Sequence, residues 1–142
     1  IEKNTSFGIY GKLTSRAQAP KGKPVSIGLN GQIKEGPAKI LTTIEGNKIE
    51  EFDIEIQKVV RQKSSDSKSM IIRITDPKLL EKTGGIVQGM SGSPIIQDNR
   101  LVGSVTHDLI NDPTRGYGIS IEWMLNEANM QSGSPLRTAS GY

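Results

Sequence analysis

The chain contains no cysteine and a single histidine, His107. Disulfides and thiolate metal sites are thereby excluded. One imidazole is too few for an ordinary zinc site, so neither a metal nor another cofactor is expected. The compartment stays open, because exported proteins can also lack cysteine. Aromatic residues make up 4 % of the 142 positions, and no apolar run is long enough to cross a bilayer. No basic-then-apolar signal segment opens the chain. It starts at Ile1 rather than Met, so a fragment or processed product is expected, with any targeting segment out of view. No glycine-rich phosphate loop leads into a helix. The 18 basic and 15 acidic residues leave a net charge of +3. The basic residues do not cluster with aromatics, so nucleic-acid binding has little support.

What is present reads as strands and turns. The length suits one domain with a moderate core. Residues 7–13, 23–29 and 38–44 are short, rich in β-branched or aromatic residues, and closed by Gly, Pro or Asn. Gly46–Asn47 reads as a hairpin turn. Residues 48–60 alternate, with Phe52, Ile54 and Ile56 on one face and Asp53 and Glu55 on the other, as a half-exposed strand does. A polar loop over 61–69 precedes a strand at 70–75. Asp76 and Pro77 are start signals for a one- to two-turn helix that Gly84 ends. Two strands joined at Asp98–Asn99 follow, then a loop over 110–116, a strand over 117–121 and a helix over 122–130. Residues 131–142 read as a flexible tail, leaving one domain over 1–130. About eight short strands with frequent turns fit a mostly β, closed or nearly closed antiparallel barrel.

Between the helix and the paired strands lies "VQGMSGSPII", with Ser91 between Met90 and Gly92. A serine hydroxyl becomes a nucleophile only with exposure, a base, and donors for the oxyanion formed on attack. Gly89 and Gly92 permit a sharp corner, and the amides of Gly89 and Ser91 are candidate oxyanion donors. The bare pattern leaves two readings, a nucleophile or the corner of a Gly/Pro turn. Asp76 likewise is either a helix cap or a catalytic carboxylate. His107 lies on the strand after Ser91 and reads as a partly exposed strand residue in preference to a base. A second "SGSP" at 132–135 reads as coincidence, Lys58, Arg61 and Lys63 as a solvated face, and Trp123 as core.

The order "VQGMSGSPII", "LVGSVTHD", "GYGISI" and a closing helix resembles the C-terminal barrel of trypsin-like serine proteases. That resemblance implies a trypsin-like antiparallel β-barrel, one barrel largely complete, with a short helix before the nucleophile and a C-terminal helix. It places Thr106, His107 and Asp108 on the substrate-pairing strand. Gly85 falls at the base of the first specificity pocket, with Gln88 also on the substrate side, and an uncharged base would disfavour basic side chains there.

The segments "IEKNTSFGIYGKL", "TDPKLLEKTGGIVQGMSGSPIIQDNRLVGSVTH" and "NDPTRGYGISIEWML" together resemble the SpoIVB peptidase family of spore-forming bacteria. The resemblance implies a sporulation-signalling serine endopeptidase that cleaves a regulator of an intramembrane protease, and also itself. It implies export across the inner forespore membrane into the intermembrane space, and a PDZ domain preceding the peptidase domain as a partner. Ser91 is then the nucleophile and Asp76 the essential aspartate. The family's histidine lies upstream of the "NT-x-x-GIYGKL" segment, outside this sequence, so residues 1–142 alone are expected to be inactive or nearly so. With Gly84, Gly85 and Gly89 in it, the loop over 84–90 is expected to be disordered or to misform the oxyanion hole. A non-catalytic peptide-binding module with a protease-like barrel is the alternative, and a scaffold capturing peptides on the edge strand 104–108 a weaker one.

Overall fold

The computed structural model describes residues 1–14, 22–61 and 66–129. The tail at 131–142, its "SGSP" and Lys63 lie outside the described residues. A hairpin of β1 (Lys3–Thr5) and β2 (Gly8–Tyr10) stands apart as a two-stranded sheet. It is tied to the C-terminal helix α2 (Ile121–Asn129) by an ion pair between Lys3 and Glu127. The remaining strands are β3 (Ser26–Ile27), β4 (Gly36–Glu45), β5 (Lys48–Val59), β6 (Met70–Ile74), β7 (Pro94–Gln97), β8 (Arg100–Leu109) and β9 (Asp112–Ser120). Six of them close a barrel in the order β8-β7-β4-β5-β6-β9, with β9 pairing back to β8, and every pairing is antiparallel. β3 adds in parallel to the outside of β8. Irregular registers in four of these pairings supply the bending that so small a barrel requires.

Alternation builds the interior. Phe52, Ile54 and Ile56 face inward from β5, against Ile40, Met70, Ile72 and Ile95 from the neighbouring strands. The solvent face carries Asp53 and Glu55, as the period of two requires. The tight turns fall at Gly46–Asn47 and at Asp98–Asn99, whose φ values of 51° and 60° are those of a hairpin turn with both central residues left-handed.

Helix α1 (Pro77–Thr83) forms where its signals stand. Asp76 caps it, Pro77 opens it, and Gly84 ends it in a left-handed conformation, donating its N–H to Leu80. Leu79 seals the barrel end beneath it.

Three expectations need correction. Residues 112–116 are strand, not loop; only Ile110 and Asn111 turn. Their turn-prone composition is overridden because Arg115 and Gly116 pair with β6, and Gly116 also with β8. Trp123 is half-buried on α2, outside the core cluster. Only Ser26 and Ile27 of the 23–29 segment pair as strand.

Candidate active site

The registers bring several turns to one end of the barrel. The β4–β5 hairpin closes there at Glu45 and Lys48, and the β8–β9 hairpin at Leu109 and Asp112. β6 ends there, and α1 starts as the amide of Asp76 donates to the carbonyl of Asp53. The chain from Gly84 to Ser93 crosses the same end before entering β7. A cavity of about 170 Å³, lined in part by Val59, Ser69 and Ser120, lies at the opposite end and includes none of these residues.

Ser91 stands exposed at a corner between Gly89 and Gly92, whose φ values of 98° and 90° a side chain would strain. Met90 between them points inward and is 3 % exposed. The corner is docked on β8 by Gly92 N–H donating to Val105 O at 2.7 Å and Val105 N–H donating to Ser93 O at 2.9 Å. Met90 N–H donates to Val87 O, and Ser93 N–H to Met90 O. These bonds set the segment 84–92 in one turn-built path. Among the described residues no intramolecular hydrogen bond is found for the amides of Gly89 and Ser91, so both donors are unengaged.

The Ser91 hydroxyl itself donates to the carbonyl of Thr106 at 2.5 Å. Thr106 turns its own hydroxyl to Tyr117 O. His107, the next residue, is exposed, and its ring lies 5.1 Å from that of Tyr117, tilted by 49°. It makes no hydrogen bond to Ser91 among the described residues. Gln88 is exposed on the approach to the corner. Gly85 is buried against β9: a β-carbon there would lie 2.2 Å from Pro113 O.

Asp76 lies at the same barrel end, engaged through both oxygens. Its Oδ1 accepts from the amides of Lys78 and Leu79 at 2.9 and 3.3 Å, and its Oδ2 from the amide of Asp53 at 3.1 Å. A carboxylate has about four lone-pair sites, so three amides leave capacity for one more donor. No hydrogen bond links Asp76 to Ser91 among the described residues.

Sequence reasoning overlooked Glu50. It continues the inward-facing alternation of β5, so a charge sits on the apolar face at the active end. Extending the Phe52–Ile54–Ile56 pattern by one step would have found it. Its Oε1 accepts from Lys78 of α1 at 2.7 Å, and its buried Oε2 has no hydrogen-bond partner among the described residues. The hydrogen bond from Lys78 lowers the Glu50 pKa against the opposing effect of desolvation, and the Lys78 pKa is raised in return. Lys82 pairs with Glu45 at 2.5 Å and lowers its pKa in the same way. The two pairs clamp α1, and with it Asp76 and the root of the Ser91 loop, onto the β4–β5 hairpin.

Compared with known families, the chain matches the one described as SpoIVB peptidase S55 over residues 1–125. Among solved structures it is similar to the Rv3671c protease of M. tuberculosis. Against the active form the TM-score is 0.56 at 16 % identity, covering 81 % of this chain and 50 % of that one. Against an inactive-form serine-to-alanine mutant it is 0.58 at 16 % identity, covering 82 % and 57 %. At that identity the likeness shows the fold, a trypsin-like barrel. The chain spans about half the length of the solved protease chains it matches. No curated protein matches it. Among the described residues no helix is long and apolar enough to cross a membrane.

Proposed function

The chain belongs to the SpoIVB peptidase S55 family, a family of serine peptidases, and we propose that it is the nucleophile-bearing barrel of a serine endopeptidase. The observation that carries this is an exposed Ser91 at a glycine-flanked turn that also holds the unengaged amides of Gly89 and Ser91. In the proposed reaction Ser91 Oγ bonds to the peptide carbonyl carbon while its proton passes to an imidazole. The two amides hold the oxyanion, each such donor being worth roughly 3 kcal/mol of barrier. The C–N bond then breaks, the imidazolium protonates the departing amine, and water releases the acyl group. The imidazole comes from outside residues 1–142, from the histidine segment that the family pattern places upstream. His107, held against Tyr117, is left to the substrate side with Thr106, Gln88 and Gly85. Asp76 orients the incoming imidazole with the lone pair its cap leaves over.

The finer role follows the family resemblance. The substrate is proposed to be a regulator of an intramembrane protease, together with the enzyme itself. The PDZ domain of the same protein is the proposed partner, and the intermembrane space of the forespore the proposed location. A second reading, a non-catalytic peptide-binding module, is favoured by one observation: the Ser91 hydroxyl is given to Thr106 O, not to a base.

Fluorophosphonate labelling separates the two. The full-length protein with its upstream histidine is expected to label at Ser91 and to cleave protein substrate, and residues 1–142 alone to label far more slowly. Proteolysis by the full-length protein that survives Ser91→Ala would sink the peptidase reading. Absent labelling with intact peptide binding would establish the module.

A further inference from the structure

We infer that Ile86 fills the specificity pocket of this site and restricts the substrate residue on the acyl side of the scissile bond to a small, uncharged side chain such as glycine, alanine or serine. The inference rests on Ser91 being the nucleophile. The substrate carbonyl must then lie against Ser91 Oγ, with its oxygen on the Gly89 and Ser91 amides. On β8 the carbonyl of His107 turns toward β9, since a β-carbon on Gly116 would meet it at 2.7 Å. Register is irregular between Val105 and His107, and the carbonyls of Val105 and Thr106 both face the Ser91 corner, accepting from Gly92 N–H and from the Ser91 hydroxyl. A substrate strand pairing at Thr106 therefore sends the side chain of its reacting residue down between the 84–90 segment and the β8–β9 pair.

That gap is closed. Ile86 N–H donates to Pro113 O at 2.7 Å, which sets the loop main chain directly on β9. The 2.2 Å approach of a Gly85 β-carbon to Pro113 O marks the same contact one residue earlier. Gly118 faces the barrel interior, where Met70 and Ile95 lie against it. Gly116, one step nearer the Ser91 end on the same face, has no side chain of its own, and Ile86 takes the space: its Cδ1 would lie 2.5 Å from a β-carbon there. Ile86 is 6 % exposed and belongs to the core cluster. A long side chain entering here would have to expel a packed isoleucine.

The test is the cleavage profile of the full-length protein on peptides varied only at the acyl-side residue. Glycine, alanine or serine is expected to exceed leucine, phenylalanine and lysine in kcat/KM by at least about tenfold, the lower range for a methylene-scale pocket difference. Ile86→Ala is expected to move the leucine-to-alanine ratio toward leucine by about tenfold, and the milder Ile86→Val to move it part of the way. Wild-type cleavage after leucine or phenylalanine as fast as after alanine overturns the inference, as does an unchanged ratio in a folded Ile86 variant. Cleavage that survives Ser91→Ala overturns the nucleophile assignment itself, so the two failures are told apart.

Discussion

The Ser91 hydroxyl and the Thr106 carbonyl are joined by a 2.5 Å hydrogen bond across the mouth of the site. In the proposed peptidase this hydroxyl would occupy the main-chain acceptor that an extended peptide pairs with on β8. On that proposal an arriving imidazole would have to draw the hydroxyl off that carbonyl before activating it, which would couple substrate docking to release of the nucleophile.

Removing the hydroxyl should therefore help binding while ending chemistry. Ser91→Ala is expected to bind a substrate peptide about fivefold more tightly than the wild-type 142-residue chain, the effect of removing a competing hydrogen bond worth about 1 kcal/mol. Fluorescence anisotropy with a labelled peptide measures this. Equal or weaker binding by the variant would mean that Thr106 O is not a docking contact.

Asp76 has to serve as cap and orienter together, and substitutions can separate the two roles. Asparagine caps about as well as aspartate. Asp76→Asn keeps the acceptor for the Lys78 and Leu79 amides but sets an NH2 against the Asp53 amide, so it should cost about 1 kcal/mol in thermal unfolding yet slow labelling of the full-length protein by about a thousandfold or more, as an uncharged partner leaves the imidazole in the wrong tautomer. Asp76→Ala should in addition cost about 1 kcal/mol of stability. Wild-type labelling in Asp76→Asn would reduce this residue to a cap.

Gly85 is predicted to tolerate no side chain. Its φ of 144° and the 2.2 Å approach to Pro113 O both exclude a β-carbon. Gly85→Ala should lower stability by about 2–3 kcal/mol through forced displacement of the loop from β9. Gly31→Ala, with nothing within 4 Å of the added carbon, should stay within about 0.5 kcal/mol of wild type. Urea unfolding of the pair measures the difference.

Much of this end of the molecule was legible in the sequence because its signals are local. Asp76, Pro77 and Gly84 mark a helix by cap chemistry that acts within one turn. Gly46–Asn47 and Asp98–Asn99 mark hairpins, and Phe52, Ile54 and Ile56 mark an inward face. The course of 112–116 was not legible, because its strand character comes from ladder partners on β6 and β8 and not from its own residues. The role of Ile86 was hidden for the same reason: its side chain meets Gly116, far along the chain and close only after the barrel closes. Glu50 stood in plain alternation with Phe52 and was passed over because a carboxylate on an apolar face runs against expectation.

That carboxylate gives the last prediction, a pH dependence with two arms. Glu50 and Glu45 are held below the ordinary carboxylate value of 4.5 by hydrogen bonds from Lys78 and Lys82. A lowered folded-state pKa means that the stabilisation is present above about pH 4.5 and is lost as pH falls through the folded value. Lys78 is raised above 10.5 by its hydrogen bond to Glu50, so its contribution is full below that value and disappears as pH rises through the folded one. The clamp on α1 is thus intact across neutral pH and opens at both extremes. Because α1 carries Asp76 and leads directly into the Ser91 loop, its release should perturb the site before the barrel unfolds. Hydrogen exchange at Leu80, Glu81 and Lys82 should accelerate relative to β5 as pH drops from about 6 to about 3, once the intrinsic exchange rate is corrected for pH. Glu45→Gln and Glu50→Gln together should abolish most of that acid-side change. A helix whose protection tracks the barrel strands at every pH would show that the ion pairs do not hold it.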